Sequence, residues 1–308
     1  MKVTIIGCGA LGSFFAFKFL RAGIDVQVCQ RPGAQYEALR TNGIVFVDKE
    51  GKTGSVKCMV SDKLEDLAPS DIALVMVKAY QTENVAKELE GRMNPGCTVL
   101  TLQNGLGNAE ALARVLGDES VAAGTCTYGA HRLQPGMISW GGDGIVRYGP
   151  WKEERELGPV EEILDRSGLE GKLEKDPRKA LWEKAVLNAS VNTVSALTRL
   201  ENGKMLEYPE TLRLIEALVS EGAAAARMAG LEVETGKMWD LVRSVLEKTA
   251  SNRTSMLQDI ENGRRTEVDA IVGPLIKAAR VKGESLPRLE TVLALVRAFD
   301  WKRESAGT

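Results

Sequence analysis

The chain has 308 residues, 44% of them apolar and 27% charged, with a formal net charge of −2. That is enough length for one large domain or two ordinary ones, and enough apolar material to bury a real core. The charge is balanced and has no basic block, which disfavours nucleic acid and anionic membrane surfaces as partners. The five cysteines (Cys8, Cys29, Cys58, Cys97 and Cys126) are scattered, with no CxxC pair. They point to reduced thiols in a cytoplasmic protein, and to neither a disulfide framework nor a metal site. No apolar run reaches the roughly 18 residues of a membrane span.

Lys2 to Ile6 reads as a buried strand and runs straight into Gly7-Cys8-Gly9-Ala10-Leu11-Gly12. An apolar helical stretch follows to Ala22, with Gly23 where a helix C-cap belongs, and Asp25 to Cys29 reads as the next strand. A leading Lys before apolar residues also fits a signal peptide, but strand–turn–helix explains the same residues better. GxGxxG in this context is a dinucleotide-binding fingerprint. Gly7 permits the tight turn, Gly9 lets a pyrophosphate approach the backbone, and Gly12 lets helix pack on strand. The helix N-terminus offers N–H groups to phosphate. At the end of the second strand, where an acid would select NAD, the chain has Gln30-Arg31-Pro32. Arg31 suits a 2′-phosphate, so the expected cofactor is NADPH/NADP+.

Segments 43–47 and 55–60 read as an antiparallel excursion. The apolar runs 72–78 and 97–102 suit central parallel strands. Lys78 ends the first, with Gln81 in the next turn, and Gln103-Asn104-Gly105 ends the second. Ligands of doubly wound sheets sit beyond the carboxyl ends of the strands. That places Gly7, Arg31, Lys78 and Asn104 as candidates to line one crevice. Segments 121–128, 136–140 and 144–148 read as strands completing the sheet with an antiparallel part. His131, the only histidine, reads as a loop residue. Segment 152–167 reads as an amphipathic helix and 173–175 as a last edge strand. Asp176-Pro177-Arg178 breaks the pattern and marks a boundary between a cofactor domain over 1–176 and a substrate or lid domain over 177–308.

Everything beyond reads as helix: 181–199, 209–230, 236–262, 266–280 and 287–303. In the first, Lys184, Asn188, Asn192 and Ser195 fall at i, i+4, i+8 and i+11, within roughly 80° on a helical wheel. An ammonium and two carboxamides among Ala, Val and Leu need partners. Further on, Ser255 and Asp259 are i, i+4 neighbours. Glu267 follows Thr266, a candidate N-cap, so its carboxylate would sit at a positive helix end.

Several of these motifs, taken together and in order, resemble the ketopantoate reductase (2-dehydropantoate 2-reductase) family. They are GCGALG, Lys78, Gln103-Asn104-Gly105, Trp182-x-Lys184-x-x-x-Asn188-x-x-x-Asn192, Ser255-Met256-x-Gln258-Asp259 and Gly263-Arg264-x-Thr266-Glu267. The resemblance covers nearly the whole chain. It implies an α/β Rossmann-type N-terminal domain with a mostly parallel sheet, and an all-α C-terminal domain like that of 6-phosphogluconate dehydrogenase. It implies reduction of 2-dehydropantoate to pantoate with NADPH, a step toward pantothenate and coenzyme A. Lys184 matches the family's catalytic lysine, and Glu267 the glutamate that contacts the substrate hydroxyl and helps place it. Asn188, Asn192 and Ser255 match substrate-binding positions, and Asn104 a position near nicotinamide and substrate. Arg31 and Lys78 match cofactor-phosphate contacts and Gln81 a cofactor-side contact. The chemistry agrees, since a ketone reduced by hydride becomes an alkoxide that needs a cation or proton donor nearby. A reductase of another small branched 2-oxo acid stays open, as does a non-catalytic NADP(H)-sensing protein. The apolar faces of the helical half are compatible with a homodimer.

Overall fold

A computed structural model describes residues 1–151 and 155–306. Contacts divide the chain into two units, Met1–Gln103 with Asn108–Arg178, and Asn104–Gly107 with Lys179–Thr308.

The first unit opens with β1 (Lys2–Ile6), α1 (Ala10–Arg21), β2 (Asp25–Cys29) and α2 (Ala34–Asn42). Next come β3 (Ile44–Val47), β4 (Thr53–Val56), β5 (Met59–Ser61), β6 (Ile72–Val75), α3 (Thr82–Leu89), β7 (Thr98–Thr101) and α4 (Asn108–Leu116). It closes with β8 (Val121–Cys126), β9 (Gly129–Gln134), β10 (Met137–Gly142), β11 (Val146–Pro150), α5 (Gly158–Arg166) and β12 (Gly171–Leu173). Among the described residues the strands form two sheets. The larger runs β12-β11-β8-β7-β6-β1-β2-β5 and is parallel except where β11 meets β8. β1 lies between β2 and β6, so the strand order reverses at the loop that follows β1, the usual ligand position in such sheets. The runs Ile72–Val75 and Thr98–Thr101 are buried throughout, as central strands covered on both faces require.

Of the antiparallel completion expected from sequence, β8 and β11 do join the large sheet and pair antiparallel, whereas β10 goes to a smaller, separate sheet, β4-β3-β10-β9. The segment read as 55–60 splits between the sheets, β4 pairing β3 and β5 pairing β2. His131 is a strand residue of β9 opposite Ser139, not a loop residue. The small sheet packs its aromatics on α1. Phe14 lies 5.5 Å from Tyr128 and 6.0 Å from Trp140, and Phe17 lies 4.9 Å from Phe46, between ring centroids. With the main sheet on its other side, α1 is immobilised by about 1.5–3 kcal/mol per fully buried aromatic. Of the helix read over 152–167, residues 152–154 lie outside the described residues, and α5 begins only at Gly158.

The second unit contains α6 (Arg178–Thr198), α7 (Asn202–Glu207), α8 (Pro209–Met228), α9 (Thr235–Lys248), α10 (Ser255–Glu261), α11 (Val268–Ile271), α12 (Gly273–Val281) and α13 (Pro287–Ala306). Two expected helices are broken. The 236–262 segment stops at Lys248 and restarts at Ser255, where the Thr254 side chain accepts a hydrogen bond from the Leu257 N–H at 3.3 Å. Polar residues in the gap favour local bonding over a continuous helix. The gap is used by α7, which sequence reading missed. Asn202 and Gly203 donate their N–H groups to Asn252 and Ala250 carbonyls at 3.0 and 2.8 Å. The 266–280 segment divides at Val272, just before Pro274, which has no N–H to continue the ladder. Among the described residues no helix is long and apolar enough to cross a membrane.

Candidate active site

In the first unit, the glycine loop fills the turn from β1 to α1. The Gly7 N–H donates to the Cys29 carbonyl at 2.9 Å, tying the loop to the end of β2. Gly7 has φ +92°, and a Cβ there would lie 2.7 Å from the Val77 nitrogen. A Cβ on Gly12 would lie 2.2 Å from the Gly7 carbonyl oxygen, so helix and loop touch backbone to backbone. Gly9 differs, because a Cβ there would meet nothing within 4 Å. The protein's own packing does not require Gly9 to be glycine, and the open space beside it leaves room for a ligand to approach the backbone. Beside it the N–H groups of the first turn of α1 have no acceptor within the helix. The loop therefore fits a dinucleotide pyrophosphate. Cys8 lies in the same loop, and Ala10 and Leu11 open α1. Burial pushes the Cys8 thiol up to about 12, so it offers no thiolate near neutral pH.

Arg31 is exposed on the loop between β2 and α2. Lys78 and Gln81 are both half-buried just beyond β6, and the Gln81 N–H donates to the Lys78 carbonyl at 2.8 Å. Gln103, quoted in a motif without a role, is a brace for this corner. It is buried, and its Nε2 donates to the Val77 carbonyl at 2.7 Å and to the Thr82 hydroxyl at 2.9 Å. The structure thus collects the glycine loop, Arg31, Lys78 and Gln81 at the carboxyl ends of β1, β2 and β6.

Asn104 is assigned to the other unit. Residues Asn104–Gly107 belong with the helices, although the sequence puts them in the cofactor half. The Leu106 N–H donates to the Ala270 carbonyl at 2.9 Å, and the Ala270 N–H donates to the Glu267 carbonyl at 3.0 Å. Gly105, with φ +85°, allows this approach, since a Cβ would lie 2.7 Å from the Ala270 oxygen. Asn104 therefore shares a unit with Lys184, Asn188, Asn192, Ser255 and Glu267.

On α6, Lys184 is half-buried, and Asn188 and Asn192 are each only 7% exposed. Neither carboxamide has a hydrogen-bond partner among the described residues. Their amide atoms are not among the fully enclosed unsatisfied ones, so they stay open to solvent and to a ligand. Ser195 leaves the expected stripe: its hydroxyl donates to the Leu200 carbonyl at 2.9 Å, closing the end of the helix. Ser255 is exposed at the start of α10. Asp259 on the same helix is a structural anchor, taking Arg264 Nε at 2.9 Å.

Glu267 is 8% exposed and is itself the N-cap of α11. Thr266 stands one residue before the cap; its hydroxyl donates to Asp300 Oδ2 at 2.7 Å and accepts a long hydrogen bond from the Val268 N–H at 3.4 Å. Asp300 carried no signal in the sequence, since it lies 34 residues on, in the last turns of a helix with many charges.

Family models described as "Ketopantoate reductase PanE/ApbA" and its C-terminal part match residues 3–153 and 176–300. A 2-dehydropantoate 2-reductase of Archaeoglobus fulgidus is 36% identical over 305 residues, covering 97% of this chain and 98% of that one. One from Halobacterium salinarum is 33% identical over 299 residues, covering 96% and 98%. The PanE/ApbA family ketopantoate reductase of Ralstonia eutropha JMP134 superposes with a TM-score of 0.90 at 26% identity, over 99% of this chain and 100% of that one. A D-mandelate dehydrogenase, solved with NADH and anilino(oxo)acetate, superposes at 0.93 over 99% and 100%; at 22% identity this likeness speaks for the fold alone. With both halves matched by the family's own models, the chain belongs to the ketopantoate reductase family.

Proposed function

We propose that this protein reduces 2-dehydropantoate to (R)-pantoate with NADPH, in the cytoplasm, on the route to pantothenate and coenzyme A. The observation that carries the reading is the face of α6: a half-buried Lys184, followed one and two turns later by two carboxamides, each 7% exposed, with no side-chain hydrogen bond among the described residues. One cation with neutral hydrogen-bonding groups suits a small oxo acid that must be oriented and then protonated.

The glycine loop and the first turn of α1 hold the pyrophosphate, with Lys78 and Gln81 at the same corner, and Arg31 takes the adenosine 2′-phosphate. The nicotinamide, when bound, supplies the hydride. The chain's own work is at the ketone. Lys184 Nζ donates the proton that the developing alkoxide requires. Glu267 accepts a hydrogen bond from the substrate hydroxyl and orients the Lys184 ammonium. Asn188, Asn192, Ser255 and Asn104 fix the acid by hydrogen bonds that add no charge.

The test is NADPH oxidation with 2-dehydropantoate against pyruvate, 2-oxoisovalerate and 2-oxopantoyl lactone. The reading expects the highest kcat/KM for 2-dehydropantoate. A higher value for another branched oxo acid would reassign the substrate, and NADPH binding without turnover on any of them would favour a sensing protein.

A further inference from the structure

The backbone of Cys8, in the middle of the glycine loop, is held at both its N–H and its carbonyl by glutamine side chains. Its N–H donates to Gln30 Oε1 at 2.8 Å. Its carbonyl accepts from Gln35 Nε2 at 2.8 Å, with the Ser13 hydroxyl as a longer second donor at 3.2 Å. Each glutamine spends its other amide atom on backbone as well. Gln30 Nε2 donates to the Arg31 carbonyl at 3.3 Å. Gln35 Oε1 accepts the Gly136 N–H at 3.0 Å, from the turn between β9 and β10. Each carboxamide thus faces one N–H and one C=O, so its orientation is fixed by its partners. Neither Glu nor Met can reproduce both contacts. Gln35 is 9% exposed, so its bonds compete little with water.

The two glutamines flank Arg31 in sequence, one before and one after. The segment that carries the charge read as the 2′-phosphate contact is therefore fastened to the loop read as the pyrophosphate cradle. A glycine-rich loop loses much freedom on ordering, and holding it beforehand removes part of that cost from binding. We infer that Gln30 and Gln35 are positioning residues for the cofactor, acting through the backbone N–H and carbonyl of Cys8 to hold the pyrophosphate loop in its binding shape. The inference rests on the dinucleotide reading of that loop. It extends it to two residues that touch no phosphate themselves.

The experiment is fluorescence titration of NADPH and of NADH against the wild type, Gln30→Met, Gln35→Met, the double variant and Arg31→Ala. Melting temperatures are measured alongside, and amide hydrogen exchange is followed at Cys8 in the unliganded proteins. Each single Met variant should weaken both cofactors alike, by about three- to tenfold, the usual effect of one hydrogen bond. Arg31→Ala should weaken NADPH selectively. In turnover the loss should fall in cofactor KM rather than kcat. Exchange at Cys8 should speed up in Gln30→Met. The double variant should lose less than the product of the singles, because the two side chains secure the successive peptide planes on either side of one residue, Cys8. Gln30 is only half-buried, so Gln30→Met decides the matter even if Gln35→Met does not fold. Dissociation constants within about twofold of wild type in every folded single variant, or a loss confined to NADPH, would overturn the inference while leaving the dinucleotide reading intact. A wild type that binds neither cofactor would overturn both.

Discussion

Asp300 takes both donors of Thr266, the backbone N–H at 2.9 Å and the hydroxyl at 2.7 Å, and so anchors the residue directly before Glu267 to the last helix. Arg264, bonded to Asp259, fixes the same turn three residues earlier. The turn that carries the carboxylate assigned to the substrate is therefore held by two other acids, Asp259 and Asp300. Replacing Asp300 with Ala should cost about 1.5–3 kcal/mol of stability, as for hydrogen bonds to a charged group. It should raise the KM for the oxo acid more than the KM for NADPH. Urea denaturation and steady-state kinetics on one preparation check both. An unchanged midpoint with unchanged KM would show that Thr266 is held by other means.

Two of the motif glycines, Gly9 and Gly12, should respond differently to alanine. Gly12 abuts the Gly7 carbonyl, so Gly12→Ala should lower the melting temperature markedly. Gly9 has open space and a negative φ of −70°, so Gly9→Ala should fold normally, with a gain of up to about 1 kcal/mol from the stiffer unfolded chain. The same methyl should stand where the pyrophosphate approaches and weaken NADPH at least about tenfold. Calorimetry with NADPH titration separates the two outcomes. A stable Gly9→Ala protein with wild-type affinity would remove the loop from the cofactor site.

Much of this architecture was readable because its determinants are local. The runs Ile72–Val75 and Thr98–Thr101 are apolar without interruption, and GCGALG sits between a strand and a helix. The face of α6 follows from helical spacing alone. What escaped the sequence depends on distant partners. β9, GAHRLQ, is half exposed and lacks clean alternation, and it becomes a strand only because β10 pairs with it. Gln30 and Gln35 look like surface residues until α2 is folded beside the glycine loop. Asn104 follows a central strand in sequence, yet Leu106 commits its segment to the helical unit through Ala270. Ser195 shows the opposite error, since correct helical spacing placed it on the stripe while its hydroxyl serves a backbone carbonyl.

Cofactor choice tests the loop after β2. With Gln30-Arg31-Pro32 in place of an acid, NADPH should be preferred over NADH, and Arg31→Ala should erode that preference chiefly through cofactor KM. A charge-assisted phosphate contact is worth about 1.5–3 kcal/mol, or roughly ten- to a hundredfold. Equal kcat/KM for the two cofactors in the wild type would refute this assignment.

The central claim is that Lys184, on the buried face of α6, gives the alkoxide its proton. Rates in the reductive direction should accordingly fall at high pH as the ammonium is lost. Glu267→Gln should lose less in kcat and more in substrate affinity than Lys184→Ala. The most direct measurement is the single-turnover rate of Lys184→Ala on 2-dehydropantoate, paired with NADPH titration of the same sample. The account predicts a rate lower by about 10²–10⁴, the usual span for a general acid, with cofactor affinity little changed. Near-wild-type turnover with intact NADPH binding would contradict it and move the proton donor elsewhere, with Lys78 the first alternative.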